Sequence, residues 1–214
     1  MNAHKLHQWS IRMEDEEEEE EEEKPQVDQN PTGMWAKKQE ELFFKNRNIY
    51  LWGPVEDKSA KDIVNRLLLL DADQPGKEIN FFINSPGGVV TSGMVIHDVM
   101  KMIQSPVSTI CMGLAASMGS ILLSAGTKGR RFIFPSGEVM IHQPSLGGYF
   151  RGVSADLEIH AIQIQKTKEL GARILSENCG QPYEKVLKDL ERDYWMDAAS
   201  AIEYGIVDGI IEKL

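Results

Sequence analysis

Short apolar runs alternate with helix-periodic stretches along most of this chain, and that alternation restricts it to a small set of folds. Asn48-Ile49-Tyr50-Leu51-Trp52 reads as a strand, and after it Ala60, Ile63, Val64, Leu67 and Leu68 recur at helical spacing. Ile79 to Ile83 is the next strand, followed by a helix marked by Val95, Ile96, Val99, Met100 and Ile103. Val107 to Met112 leads into a helix at Ser117, and Arg131 to Phe134 and Glu138 to Ile141 are further strands. Repeated strand-helix units imply an α/β fold with a mainly parallel sheet and right-handed crossovers. From about Ser154 to Glu177 there is no proline, and Leu157, Ala161, Ile164, Leu170, Ile174 and Leu175 predict one long helix, with Ile159 and Ile162 on a second side.

Charge separates the N-terminus from the rest. The chain carries a net charge of −10, and Glu14 to Glu23 holds ten carboxylates without a base, so the remaining 23 acidic residues balance 23 basic ones. A like-charge block of this kind repels itself and buries nothing. Residues 1–33 are therefore expected to be a disordered acidic segment, and residues 34–214 one folded domain, with no composition shift to divide it. The acidic run also disfavours nucleic-acid binding. Cys111 and Cys179 form neither a disulfide framework nor a metal spacing, and the N-terminus lacks an apolar signal region, which predicts a cytoplasmic protein. Ile110 to Ala125 is mostly apolar but too short and too rich in Gly, Ala and Ser to cross a membrane.

The chemistry-bearing residues lie at the ends of these runs. Ser117 stands in Gly113-Leu114-Ala115-Ala116-Ser117-Met118-Gly119, His142 ends the strand Met140-Ile141-His142, and Asp193 follows Glu191-Arg192. A serine hydroxyl is a weak nucleophile until an imidazole takes its proton, and the imidazole needs a carboxylate to hold its tautomer. An oxyanion also needs backbone donors, and Gly87-Gly88 in Asn84-Ser85-Pro86-Gly87-Gly88-Val89 lets the backbone approach a substrate closely. Gly88 and Met118, the residue after the serine, are the candidate donors. Each residue alone has a plainer explanation: a serine at a helix start is usually a cap, a histidine at a strand end is usually structural, and Asp189, Asp197 and Asp208 are nearby rivals for Asp193.

The order Ser, His, Asp differs from that of α/β-hydrolases, chymotrypsin-like and subtilisin-like enzymes. From Asn48 onward the chain resembles the proteolytic subunit of the ATP-dependent Clp protease (peptidase family S14). The resemblance runs through Ile83-Asn84-Ser85-Pro86-Gly87-Gly88, Ser108-Thr109-Ile110-Cys111-Met112-Gly113, Ala115-Ala116-Ser117-Met118-Gly119, Val139-Met140-Ile141-His142-Gln143-Pro144, Glu191-Arg192-Asp193 and Glu203-Tyr204-Gly205-Ile206-Val207-Asp208.

That resemblance implies a ClpP/crotonase-like spiral of ββα units with a protruding strand-helix handle. It implies serine endopeptidase activity through Ser117, His142 and Asp193, with the oxyanion held by Gly88 and Met118. It further implies a homo-oligomer of fourteen subunits in two heptameric rings, joined through the handle, with Gly147-Gly148-Tyr149 before the long helix and Glu191 and Arg192 at the ring contact. No metal or organic cofactor is expected. ATP would be used by a separate AAA+ Clp unfoldase, ClpX-like or ClpA/ClpC-like, since this chain lacks a phosphate-binding G-x-x-x-x-G-K-[ST] loop. By the same resemblance the unfoldase docks on an apolar pocket of Phe82, Met102, Ile110, Met112, Phe132 and Phe134, with Asn80 where an aromatic is common. Unfolded polypeptide would lie as an added strand along the segments after Gly88 and around Ser145-Leu146-Gly147. The N-terminal segment departs from the family pattern, and the acidic run is expected to be a removed propeptide or a charged filter at the pore. Two other functions stay open: a structural or conditionally active member of a mixed Clp ring, and a crotonase-like acyl-CoA enzyme.

Overall fold

The computed structural model describes residues 31–145 and 153–213, the first two by their backbone alone. The expectations for the acidic run and for Leu146, Gly147, Gly148 and Tyr149 therefore lie outside the described residues. The chain divides into two units, residues 1–38 and 39–214. Helix α1, Pro31–Lys45, begins in the first. The second holds every strand and helix discussed below.

Among the described residues the sheet runs in the order β1 (Asn48–Trp52), β2 (Ile79–Ser85), β3 (Val107–Ala116), β4 (Arg131–Ile133) and β7 (Gly209–Ile210), all parallel. Strand β5 (Glu138–Ile141) pairs in parallel with the end of β3, and β6 (Tyr194–Met196) pairs with β5 in antiparallel register. The helices follow the predicted crossovers: α2 (Asp57–Asp73), α3 (Val90–Met102) and α4 (Met118–Ser124), then the long α5 (Ser154–Cys179). Two short helices, α6 (Tyr183–Asp189) and α7 (Ala198–Tyr204), complete the described elements.

Burial follows the two-residue period of the strands. Ile49, Leu51, Phe81, Ile83, Cys111 and Ile133 turn inward to meet Ile63, Leu67, Ile96 and Leu122 of the helices, and all are buried. The opposite sheet face carries Tyr50, Phe82, Ile110 and Phe132 in one register row, where Tyr50 stacks on Phe82 with ring centroids 4.9 Å apart. Phe82 and Ile110 are already buried within this chain, and Met112 of β3 and Phe134, just after β4, are half-buried. Met102 belongs to none of these strands; it ends α3 and is 82% exposed. Asn80 donates its side-chain amide to Asn48 Oδ1 at 3.0 Å, so this aromatic row is flanked by a polar pair.

The reading of the third strand changes. Val107 to Met112 was expected, yet β3 continues through Gly113, Leu114 and Ala115 to Ala116. The parallel register with β2 shifts between Ile83 and Ser85, and Asn84 Oδ1 spans the irregularity by accepting the Leu114 amide at 3.1 Å. Small residues with weak strand propensity remain extended because this side chain and β5 both hold them. The consequence is positional: β3 delivers its chain directly to Ser117.

In α5 the expected long helix is present, but its first half packs on little. Leu157, Ile159 and Ile162 are 45%, 64% and 50% exposed, whereas Ala172, Ile174 and Leu175 are buried. Among the described residues Ile159 and Ile162 are thus not part of the buried core. Among the described residues no helix is long and apolar enough to cross a membrane.

Candidate active site

Ser117 stands between the end of β3 and the start of α4 with φ 54° and ψ −121°. An L-residue rarely occupies that region, and holding it there costs about 1–3 kcal/mol. Three contacts impose it. The Ser117 amide donates to Met140 O at 2.8 Å, fixing the serine to β5. Its carbonyl accepts the Ser120 amide at 3.0 Å and the Ser120 hydroxyl at 2.6 Å, fixing it to α4. The result is a sharp turn with the hydroxyl on its outside.

His142 follows β5, and the antiparallel pairing of Ile141 with Tyr194, continued by one residue, sets His142 across from Asp193. The hydroxyl of Ser117 lies 2.9 Å from His142 Nε2, and His142 Nδ1 lies 3.0 Å from Asp193 Oδ1. Serine, imidazole and carboxylate therefore form one hydrogen-bonded chain. The imidazole is about a quarter exposed and the carboxylate 60% exposed.

The rival carboxylates are engaged elsewhere. Asp189 accepts from Lys185 at 2.8 Å and from the Tyr204 hydroxyl at 3.0 Å. Asp197 caps α7 by accepting the Ser200 amide at 2.8 Å, and this bond, with that of the Ser200 hydroxyl, holds its carboxyl below the usual range. Asp208 pairs with Arg131 at 2.5 Å. Burial pushes the Asp208 carboxyl up, but the hydrogen bonds and charge of Arg131 prevail and hold it below its ordinary value.

The glycine pair abuts the serine. A β-carbon placed on Gly87 would lie 2.9 Å from the Met118 amide nitrogen, so the backbone of β2's following loop passes directly beside the strand-helix turn. Gly88, at φ 150°, bridges to Val55; the bonds involved are Val55 N to Gly87 O and Val89 N to Val55 O, each 2.8 Å. The Gly88 N–H is not used in that bridge. Met118 occupies the first position of α4, where an amide has no intrahelical acceptor. The Met118 amide thus stands next to Ser117 without an intrahelical acceptor, and the Gly88 N–H, one residue beyond the glycine that touches Ser117, is outside the bridge to Val55.

Beside Ser117 and His142 opens a mainly apolar pocket walled by Val90 and Met94 of α3, Ile121 of α4 and Leu170 and Gly171 of α5. Glu191 and Arg192 lie in the exposed turn that carries Asp193. Among the described residues no group of three or more His, Cys, Asp or Glu side chains is arranged to hold a metal ion. The two thiols are free, and burial pushes both Cys111 and Cys179 up to about 12, which makes neither a nucleophile near neutral pH.

One participant escaped the sequence reading. Gln143, directly after His142, donates its backbone N–H to Leu190 O at 2.7 Å and its side-chain Nε2 to Glu191 O at 3.0 Å. Its place beside His142 was visible, but its acceptors belong to a turn brought near only by the pairing of β5 with β6.

Compared with known protein families, the chain matches the family model described as Clp protease over residues 32–214.

Proposed function

This chain belongs to the Clp protease family, and from that premise we propose that it is a serine endopeptidase acting through Ser117, His142 and Asp193. The observation that carries the proposal is the continuous hydrogen-bonded chain Ser117 Oγ, His142 Nε2, His142 Nδ1, Asp193 Oδ1. In the first half-reaction Ser117 Oγ attacks the scissile carbonyl carbon while its proton passes to His142 Nε2. The oxyanion accepts hydrogen bonds from the Gly88 and Met118 amides, and Asp193 stabilises the imidazolium. Collapse breaks the C–N bond, and His142 returns the proton to the leaving amine. Water then attacks the acyl ester with His142 as base, releasing the acid and restoring the serine hydroxyl. No metal or organic cofactor enters this cycle.

The proposal extends to assembly and supply. The exposed apolar side chains of α5 support burial against another copy, and the proposed assembly is two seven-membered rings with Glu191 and Arg192, both exposed, at the ring contact. By the family resemblance we further propose docking of a separate AAA+ Clp unfoldase, which would use ATP and feed unfolded polypeptide to the site; of the candidate pocket residues Met102 is the exposed one, while Phe82 and Ile110 are buried within this chain.

The test is reaction of the purified chain with a fluorophosphonate, the adduct located by peptide mass, with Ser117→Ala as control and native mass recorded on the same sample. Labelling confined to Ser117 in a fourteen-subunit species is the expected result. An unlabelled fourteen-mer overturns the self-sufficient peptidase, and an unlabelled smaller species redirects the reading to a mixed ring.

A further inference from the structure

The hydrogen bond between His142 and Asp193 sits in an exposed place, since 60% of the Asp193 side chain is open to solvent. Ionisable pairs so exposed contribute little to holding a geometry, because water competes for both partners and the free side chains regain rotamer entropy. A carboxylate that must keep one orientation on an imidazole needs its backbone held by something else.

Gln143 supplies two such attachments. Its N–H reaches Leu190 O at 2.7 Å and its Nε2 reaches Glu191 O at 3.0 Å, the second in an exposed place but on a backbone acceptor that has no rotamers to lose, so one residue grips consecutive carbonyls of the turn that carries Asp193. The grip is anchored at its far end. Leu190 is 3% exposed, and its amide donates to Val186 O at 2.9 Å, closing α6. It is also anchored at its near end, because Gln143 directly follows His142 on the end of β5. An amide is chemically suited to the place: only a donor satisfies a carbonyl oxygen, and a carboxylate of equal length would set lone pairs against lone pairs.

We propose that Gln143 is a positioning residue for the His142–Asp193 pair, fastening the strand end that bears the imidazole to the turn that bears the carboxylate. The inference rests on the serine-peptidase reading above. Gln143 itself takes no proton and touches no substrate in this role; it acts through Asp193.

The test is a double-mutant cycle on the full chain in its assembled state, read as the rate of fluorophosphonate labelling at Ser117 and as kcat and KM on a short fluorogenic peptide. Gln143→Leu removes the side-chain donor, and Gln143→Glu keeps the length while removing the donor, so one remains informative if the other fails to assemble. In the Asp193 background each is expected to lower kcat and the labelling rate roughly 10- to 100-fold with KM little changed. In an Asp193→Ala background the same substitutions are expected to cost less than about twofold, because the group they position is gone. Equal losses in both backgrounds would show a general structural effect and overturn the proposal, as would full activity of Gln143→Glu. Absence of Ser117 labelling in the unsubstituted, assembled protein marks failure of the peptidase reading itself; labelling with an additive cycle marks failure of the positioning role alone.

Discussion

Gly87 and Ser117 are packed so closely that a β-carbon on the glycine would stand 2.6 Å from the Cβ of the serine and 2.7 Å from Ala116 O. The glycine has φ 89°, so both its missing side chain and its backbone conformation are required at this place. Gly87→Ala is expected to displace the strand-helix turn and to lower peptide hydrolysis and fluorophosphonate labelling by more than about 100-fold. Gly129 is the matched control, since its φ is 82° and nothing lies within 4 Å of its β-position. Gly129→Ala is expected to lower stability slightly and to leave the labelling rate unchanged.

His142→Ala and Asp193→Asn test the hydrogen-bonded chain directly. Each is expected to reduce kcat by roughly 10³- to 10⁴-fold or more, with the double substitution little worse than His142→Ala alone. Active-site titration on assembled protein checks this, and multiplication of the two losses would show that the residues act separately.

The pocket beside Ser117 leads to an expectation about side-chain preference. A β-carbon on Gly171 would meet only Ile121 Cδ1, at 3.6 Å, so alanine fits there while a longer side chain must extend into the pocket. Gly171→Leu is expected to lower kcat/KM for peptides with a large apolar residue before the cleaved bond by about 10- to 100-fold and to spare those with alanine there. Gly171→Ala should change neither. A peptide-library cleavage profile for the three forms decides it.

Arg131 and Asp208 form the main buried ion pair of the described residues, with Arg131 also donating to Asn178 O at 2.9 Å. The Asp208 carboxyl lies below its ordinary value in the folded chain, so the unfolded chain binds its proton more readily. The stability it contributes is complete above the unfolded value of about 3.9 and is lost as pH falls through the lower folded value. Asp208→Asn is expected to destabilise by about 3–5 kcal/mol at neutral pH, since it leaves a buried guanidinium unpaired, and to flatten the acid side of the stability profile. Denaturant unfolding at several pH values measures both effects.

The long, periodic segments were legible because burial imposes a period on the sequence. Strands β1, β2, β4 and β5 and helices α2, α3 and α5 stand close to where the apolar residues placed them. The short elements after Cys179 were legible only as motif fragments: α6, β6, α7 and β7 have two to seven residues each, too few to display a period. The extension of β3 to Ala116 was hidden for a different reason, because Gly113 and Ala115 carry little strand propensity and stay extended through Asn84 and β5.

The residue types, their order and the small residues around Ser117 are local properties, written in consecutive positions, so the sequence by itself determined that a Ser, His, Asp set and a glycine-flanked serine were available. Which aspartate serves was not a local property. Asp189, Asp193, Asp197 and Asp208 lie within twenty residues of one another, and only the antiparallel register of β5 on β6 assigns Asp193 to His142 while Tyr204, Ser200 and Arg131 take the others. A strand's register is set by the summed burial and hydrogen bonding of all its neighbours, and a shift of one residue turns every side chain to the other face. That sum, together with the strained backbone of Ser117 and the double grip of Gln143, exists only once the chain has folded.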